Sequence, residues 1–356
     1  MNKKITIISI SIVILGILAI IIPKIINQTY AVSTTLADKV ISLETSSACN
    51  AGGTGVCKTN SYTDTDSTTK YHDYRYRGAD PSNYVLFNNE LYRIIGVFDS
   101  NSHGKTGEYL VKLIRSRVLY SGSWGVYNST NSSGTYSSYK NDWTGNTTGV
   151  KASANVILNE YFYNKTNTSS TYGACSNWTY YFNNNDYKTF SCSDIVGYGI
   201  NDTYRNYIEE VTWYLKGYSG NGYSKQNFYL CERGLSTDTT NCMSANSGAY
   251  DSTTTANVGL MYVSDYLYAS SYFADTATTT ASSQYYVNKN WLYKGYEWTI
   301  TPRSSTNSAF NVYTDGYVSS NTVRFCHTIR PTFYLKSNVL VTGGEGTFDD
   351  PYTVSM

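Results

Sequence analysis

A chain of 356 residues has room for one large or two ordinary domains, and with 15% charged residues and a net charge of +1 it offers no electrostatic basis for binding nucleic acid or an anionic membrane surface. Tyrosine is the compositional outlier, 38 copies against 11 Phe and 6 Trp in a background of Ser, Thr, Asn and Gly. Such side chains pack on a pleated surface while the hydroxyl stays in water, which suits both β-rich exteriors and ligand-contact surfaces.

In chain order, Asn2-Lys3-Lys4 precedes the charge-free, Ile-rich run Ile5 to Ile22. Its length lies between a signal-peptide core and a minimal membrane span, and the leading lysines place the remainder of the chain outside the membrane. Small-residue sites at Thr29-Tyr30-Ala31 and Thr35-Leu36-Ala37 could each be cleaved. Residues 1–31 therefore read as a signal peptide or a membrane anchor, and the protein is expected on the extracellular face of the cytoplasmic membrane or secreted. Residues 32–82 are polar and read as a stalk holding a small cystine loop. Within it, Asp64 and Asp66 of "YTDTDS" lack the Gly and distal Glu of a calcium loop.

Residues 83–356 read as a single α+β domain of antiparallel sheets with a few packed helices. "NYVLFNNELYRIIGVFDS" carries the signs of a hairpin turning at Asn88-Asn89, and "EYLVKLIRSRVLY" supplies a third strand. Ala154, Ile157, Leu158 and Phe162 recur at helical spacing. The stretch 201–217 reads as a second amphipathic helix, starting at Asn201 or Asp202 and ending at Gly217. "NVGLMYVSDYLYASS" reads as a buried strand running into a helix start at Ser264-Asp265, and the remainder is again strand and turn.

Seven cysteines suit an oxidising exterior. Spacing alone leaves their connectivity open, but three neighbouring pairs bracket turn-rich loops. The expected bridges are Cys49–Cys57, Cys175–Cys192 and Cys231–Cys242, with Cys326 a free thiol buried in a strand. No C-x-x-C occurs, and His72, His103 and His327 are scattered, so neither a metal site nor a cofactor is expected. Gly-x-Ser-x-Gly is absent. Glu209 and Glu210, on a helix, would point about 100° apart, and Asp349-Asp350 reads as a terminal turn. No catalytic residue is assigned.

Four segments carry a resemblance. "FNNELYRIIGVF", "DWT…VILNEYFYN", "VGLMYVSDY" and "WTITPRSSTNSAFNVYTDGYVSS…IRPTFYL" occur in the order seen in a domain family of uncharacterised exported proteins from low-GC Gram-positive bacteria. That family is similar to the sulfatase-modifying-factor and C-type-lectin-like fold. The resemblance spans Tyr84 to Tyr352, with Thr299, Ile300 and Ile329 departing from its closing signature. It implies a C-type-lectin-like fold. The oxidase branch of that fold would need a cysteine pair near the closing signature, where this chain has Cys326 alone, so its chemistry does not carry over.

Trp298, Pro302, Arg303, Asp315, Gly316, Arg330 and Pro331 are read as a structural corner. Pro302 extends Thr301, Asp315-Gly316 turns a hairpin, and the two arginines bind loop carbonyls or acids such as Asp265 or Asp315. Ligand contact is assigned to Trp178, Trp291, Tyr293, Tyr296, Tyr313 and Tyr317, which cluster near polar turns. The functional expectation is an exported, surface-displayed, non-catalytic binding module for a glycan or surface protein. It has no nucleic-acid partner, and it meets the membrane through its N-terminal helix if that is uncleaved. A modifying-factor-type metalloenzyme is the alternative.

Overall fold

Asn88 and Asn89 both take left-handed backbone conformations, φ 54° and 62°. Two such residues in succession make the turn whose twist matches antiparallel strands. They join β3 (Tyr84–Phe87) to β4 (Glu90–Phe98) as the sequence predicts, and β5 (Leu110–Arg115) pairs antiparallel with β4. The computed structural model describes residues 33–63, 70–125, 141–145, 151–165, 179–182, 186–189, 192–219, 224–236, 242, 253–274, 287–303 and 307–356.

Thr35–Met356 is one compact unit, α+β with sheet predominant. Of the residues expected to form a stalk, 35–63 and 70–82 belong to it. Helix α1 (Leu36–Ser42) is capped by Thr35, whose Oγ1 accepts from the Asp38 amide, and it buries Leu36, Ala37 and Val40. Strands β1 (Gly55–Thr63) and β2 (Lys70–Arg77) pair with each other, and β2 continues onto the far half of β4. Gly96 makes that contact possible, because a Cβ there would stand 2.4 Å from the Tyr74 carbonyl oxygen. A polar composition concealed this element because Asp73, Arg75 and Arg77 of β2 point inward. The apolar run Ile5–Ile22 lies outside the described residues. Among the described ones no helix is long and apolar enough to cross a membrane.

After β6 (Tyr120–Gly122), the expected helix appears as Ser153–Val156 running into a π-helical stretch, Ile157–Tyr163, with Ala154, Ile157, Leu158 and Phe162 buried. A small hairpin, β7 (Thr179–Phe182) and β8 (Asp186–Thr189), comes next. The second expected helix is instead a single turn, Asp202–Arg205, followed by β9 (Ile208–Glu209) and β10 (Val211–Tyr214). Val211, Trp213 and Leu215 are the buried positions, a period of two that fits extended chain. β10 pairs with β11 (Thr253–Ala256). Beyond β12 (Val258–Gly259), helix α2 (Val263–Ala269) starts where a strand-to-helix change was expected, with Asp265 accepting from the Tyr262 amide.

The C-terminal third builds a second sheet. It comprises β13 (Glu297–Pro302), β14 (Ser308–Val312), β15 (Val318–Thr322) and β16 (His327–Ile329), in the order β15-β14-β13-β16-β6. The chain then crosses through Arg330-Pro331 into β17 (Thr332–Leu335), which pairs with β5, β12 and β9 of the ten-stranded main sheet. β18 (Leu340–Gly343) and β19 (Tyr352–Ser355) close the chain, with β19 lying parallel to β3. The first hairpin and the last strand thus meet in one sheet.

The cystines Cys49–Cys57 and Cys231–Cys242 form as expected, consistent with an extracellular protein. Cys175 lies outside the described residues. Cys326 keeps its thiol, but it is half-buried in the link between β15 and β16 rather than inside a strand.

Candidate functional site

Two groupings of polar and aromatic side chains stand out. The first is interior. Alternate residues of β2, Asp73, Arg75 and Arg77, point into the protein, and β5 contributes Lys112. Helix α2 brings Asp265, and the end of the helix Lys225–Glu232 brings Glu232 and Arg233. Asp265 is the hub. Its carboxylate meets Lys112 Nζ at 2.6 Å and Arg75 Nη1 at 3.0 Å, while Arg75 Nη2 reaches Asp73 at 2.9 Å. Glu232 accepts from the Thr301 hydroxyl at 2.5 Å and the Ser264 amide at 3.3 Å, and it pairs with Arg233 at 3.3 Å.

Aromatic rings enclose the cations. Lys112 Nζ lies 4.4 Å from the Tyr262 centroid and 5.1 Å from Trp213, and Arg75 lies 4.5 Å from Phe98. Burial alone would raise the Asp265 carboxyl, but Lys112 and Arg75 outweigh it and hold it at about 2. Burial pulls the Lys112 ammonium down to about 8 against the attraction of Asp265, so both partners are charged at neutral pH. Burial, and then the Asp73 carboxylate, push Asp99 up to about 7. None of Asp73, Arg75, Asp99, Lys112, Glu232, Arg233 and Asp265 is more than 5% exposed. Asp73, Asp265 and Glu232 each pair with a buried cation, and the network joins the main sheet to two helices and to β13, while Asp99 stands beside it without an ion-pair partner among the described residues. Sequence reading missed this network. Its one local signal is the period-two spacing of Asp73, Arg75 and Arg77 in "HDYRYR".

The second grouping reaches the surface. At the start of β13, Trp298 is buried and donates its Nε1–H to the Gly122 carbonyl at 3.0 Å. The His327 ring lies 4.3 Å from it, Tyr296 stacks on His327 at 4.8 Å and 20°, and Tyr313 meets Tyr296 at 4.2 Å. His327 Nε2 accepts from Asn321 Nδ2 at 3.1 Å, and burial lowers this imidazole to about 4, so the stack is uncharged at neutral pH. Tyr293 donates its hydroxyl to the Thr314 carbonyl on the hairpin tip. Across that tip the Tyr313 amide donates to the Tyr317 carbonyl at 2.7 Å. Gly316 adopts φ +82°, as the Asp-Gly turn requires, and Asp315 accepts from the Tyr317 amide at 3.0 Å.

Four of the tyrosines assigned to ligand contact, Tyr293, Tyr296, Tyr313 and Tyr317, are therefore half-buried around one hairpin. Trp291 does not join them. It is 3% exposed, donates to the Tyr76 carbonyl at 2.9 Å and carries Arg93 over its ring at 4.6 Å, which makes it a core residue. Trp178 lies outside the described residues.

The corner itself is structural in its contacts. Arg330 forks onto both oxygens of Glu297 at 2.7 Å and donates to the Leu292 carbonyl at 2.7 Å. Its acid is thus Glu297, neither Asp265 nor Asp315. Arg303 is half-buried and donates to Ser320 Oγ at 2.6 Å, with no acid at its guanidinium in the described residues. The Pro331 carbonyl accepts from the Arg115 amide at 3.0 Å, tying the corner to the main sheet. Glu209 and Glu210 adjoin in extended chain, where neighbours face opposite sides, and Glu209 pairs with Lys105 at 2.7 Å. Among the described residues no three His, Cys, Asp or Glu side chains group as metal ligands. Compared with known protein families, curated proteins and solved structures, the chain matches none.

Proposed function

We propose that this protein is an exported, surface-displayed binding module whose half-exposed tyrosines receive a glycan. One observation carries the reading, the stack of Trp298, His327, Tyr296 and Tyr313 from the core to the surface of a hairpin. Each ring below Tyr313 is fixed by the next, and the backbone of Tyr296 is held by Thr328, whose amide donates to its carbonyl at 2.9 Å. Rigid tyrosines offer contact area at little entropic cost, and their π faces suit the slightly positive C–H face of a sugar ring. Phenol hydroxyls and the polar residues of the turn can then serve sugar hydroxyls.

The two cystines favour the exported setting, and the interior acids Asp73, Asp265 and Glu232 are buried and each is held by a cation of the fold. A glycan array probed with the labelled protein and with Tyr296→Ala tests the reading. Wild-type signal on a defined set of glycans, lost in a variant that still folds, supports it; the same pattern from both proteins, or no signal from either, counts against it.

A further inference from the structure

We propose a second binding site, a groove beside the first hairpin that takes a small amphipathic carboxylate. Its apolar body would rest on Phe348, Leu86 and Leu91 and its carboxylate on Arg117. The groove measures about 390 Å³ and is completed by Asn89, Glu90, Arg115 and Ser116. That volume falls in the range of small-molecule sites, roughly 300–1,000 Å³. It shares no residue with the tyrosine stack and does not depend on that reading.

The apolar wall is unusual in being both exposed and fixed. Phe348 is 61% exposed and Leu86 40%. Yet the loop bearing Phe348 is tied down. Glu345 N donates to the Asp350 carbonyl at 3.0 Å, Asp350 N donates to Thr347 Oγ1 at 3.0 Å, and Tyr84 meets the Phe348 ring edge-on at 5.6 Å. Gly346, at φ +77°, packs so closely that a Cβ would lie 2.5 Å from the Tyr352 ring. A single exposed ring needs no explanation, but Phe348, Leu86 and Leu91 line one groove together, and contiguous apolar surface is what marks a binding groove.

Charge decides the class of ligand. Glu90 grips Arg115 through both oxygens, at 2.6 and 2.7 Å, and Arg115 Nη1 donates to the Val118 carbonyl at 3.0 Å. Those two side chains cancel. Arg117 is exposed and has no ion-pair partner among the described residues, so it is the groove's uncompensated charge. Asp349 and Asp350 follow Phe348 but do not line the groove. A guanidinium fork recognises a carboxylate through two parallel hydrogen bonds. A cation would be repelled, and a compact inorganic anion would leave the apolar wall unused.

The test is calorimetric titration of the full chain with 4-phenylbutyrate, its neutral amide and the matching amine. The acid should bind, the amide about tenfold or more weakly, and the amine not at all. Arg117→Ala and Phe348→Ser should each weaken the acid by about tenfold or more, with the melting temperature unchanged for the exposed Arg117 and only slightly lowered for Phe348, which gives up its edge contact with Tyr84. Arg117→Lys should keep part of the affinity. Decanoate and N-acetylphenylalanine serve as lipid-like and peptide-like acids, and binding of either through Arg117 supports the site. Equal affinity for acid and amide, an unchanged Arg117→Ala, or no binding of any of these acids overturns it.

Discussion

The interior around Asp265 and the hairpin around Tyr313 contain the same kinds of side chains, charged or polar groups set against aromatic rings, yet they differ in what is left over. Around Asp265 the buried acids Asp73, Asp265 and Glu232 each meet a buried cation and the rings close over the cations. Around Tyr313 the rings lean on one another only on the protein side, and the outer members remain half-exposed. Concentrated chemistry is therefore a poor guide to function by itself. The useful distinction is whether the groups are satisfied by the fold or still present a surface to something else.

The largest expected effect lies in the interior. Asp265→Ala strands Lys112 and Arg75 as buried charges, and breaking such a cluster costs about 3–5 kcal/mol. Urea denaturation should show a large fall in midpoint; a loss below about 1 kcal/mol would mean that the network does not hold the domain together.

The next test uses acid. Burial lowers His103 to about 4, and His327 likewise to about 4, below the ordinary histidine value of roughly 6.5. The unfolded chain therefore binds more protons, so this stability is present above about pH 6.5 and is lost as pH falls through 4. Asp265, held at about 2, loses its share between about pH 4 and 2. Asp99 has the opposite sign, since its raised value of about 7 favours folding at low pH and fades as pH rises through 7. Melting curves from pH 7 to 4 should thus fall more gently for His103→Gln and more steeply for Asp99→Asn. Reversal of either slope would contradict the assigned environments.

Smaller effects belong to the corner. Arg330→Lys loses the two-pronged grip on Glu297 and should cost about 1–3 kcal/mol by thermal melting. Arg303→Ala removes one hydrogen bond to Ser320 from a half-buried side chain and should cost about 1 kcal/mol. If Arg303→Ala proved as damaging as Arg330→Lys, the ordering by burial and partner charge would fail.

Much of the corner and the first hairpin was legible because their determinants are local. Asn88-Asn89 and Asp315-Gly316 state their turns in the residues themselves, and Phe310, Val312 and Val318 alternate as strands do. The interior network was not legible, because Arg75 and Asp265 stand 190 residues apart and neither carries a local sign of the other. Residues 201–217 misled for a different reason. Their apolar positions fit both periods, and only pairing of β9 with β17 and β10 with β11 settles the extended form. Trp291 looked like a surface aromatic in a turn, but its amide donates to the Gly78 carbonyl at 2.9 Å, which draws the ring into the core.

The most direct measurement of the central claim is a binding titration of a glycan hit with wild type and Tyr313→Ala, alongside their melting curves. Tyr313 ends the stack, so its removal should weaken binding by about tenfold or more while stability changes by less than about 1 kcal/mol. Unchanged affinity in a folded Tyr313→Ala protein would show that the hairpin surface is only architecture, like the ion network beneath it.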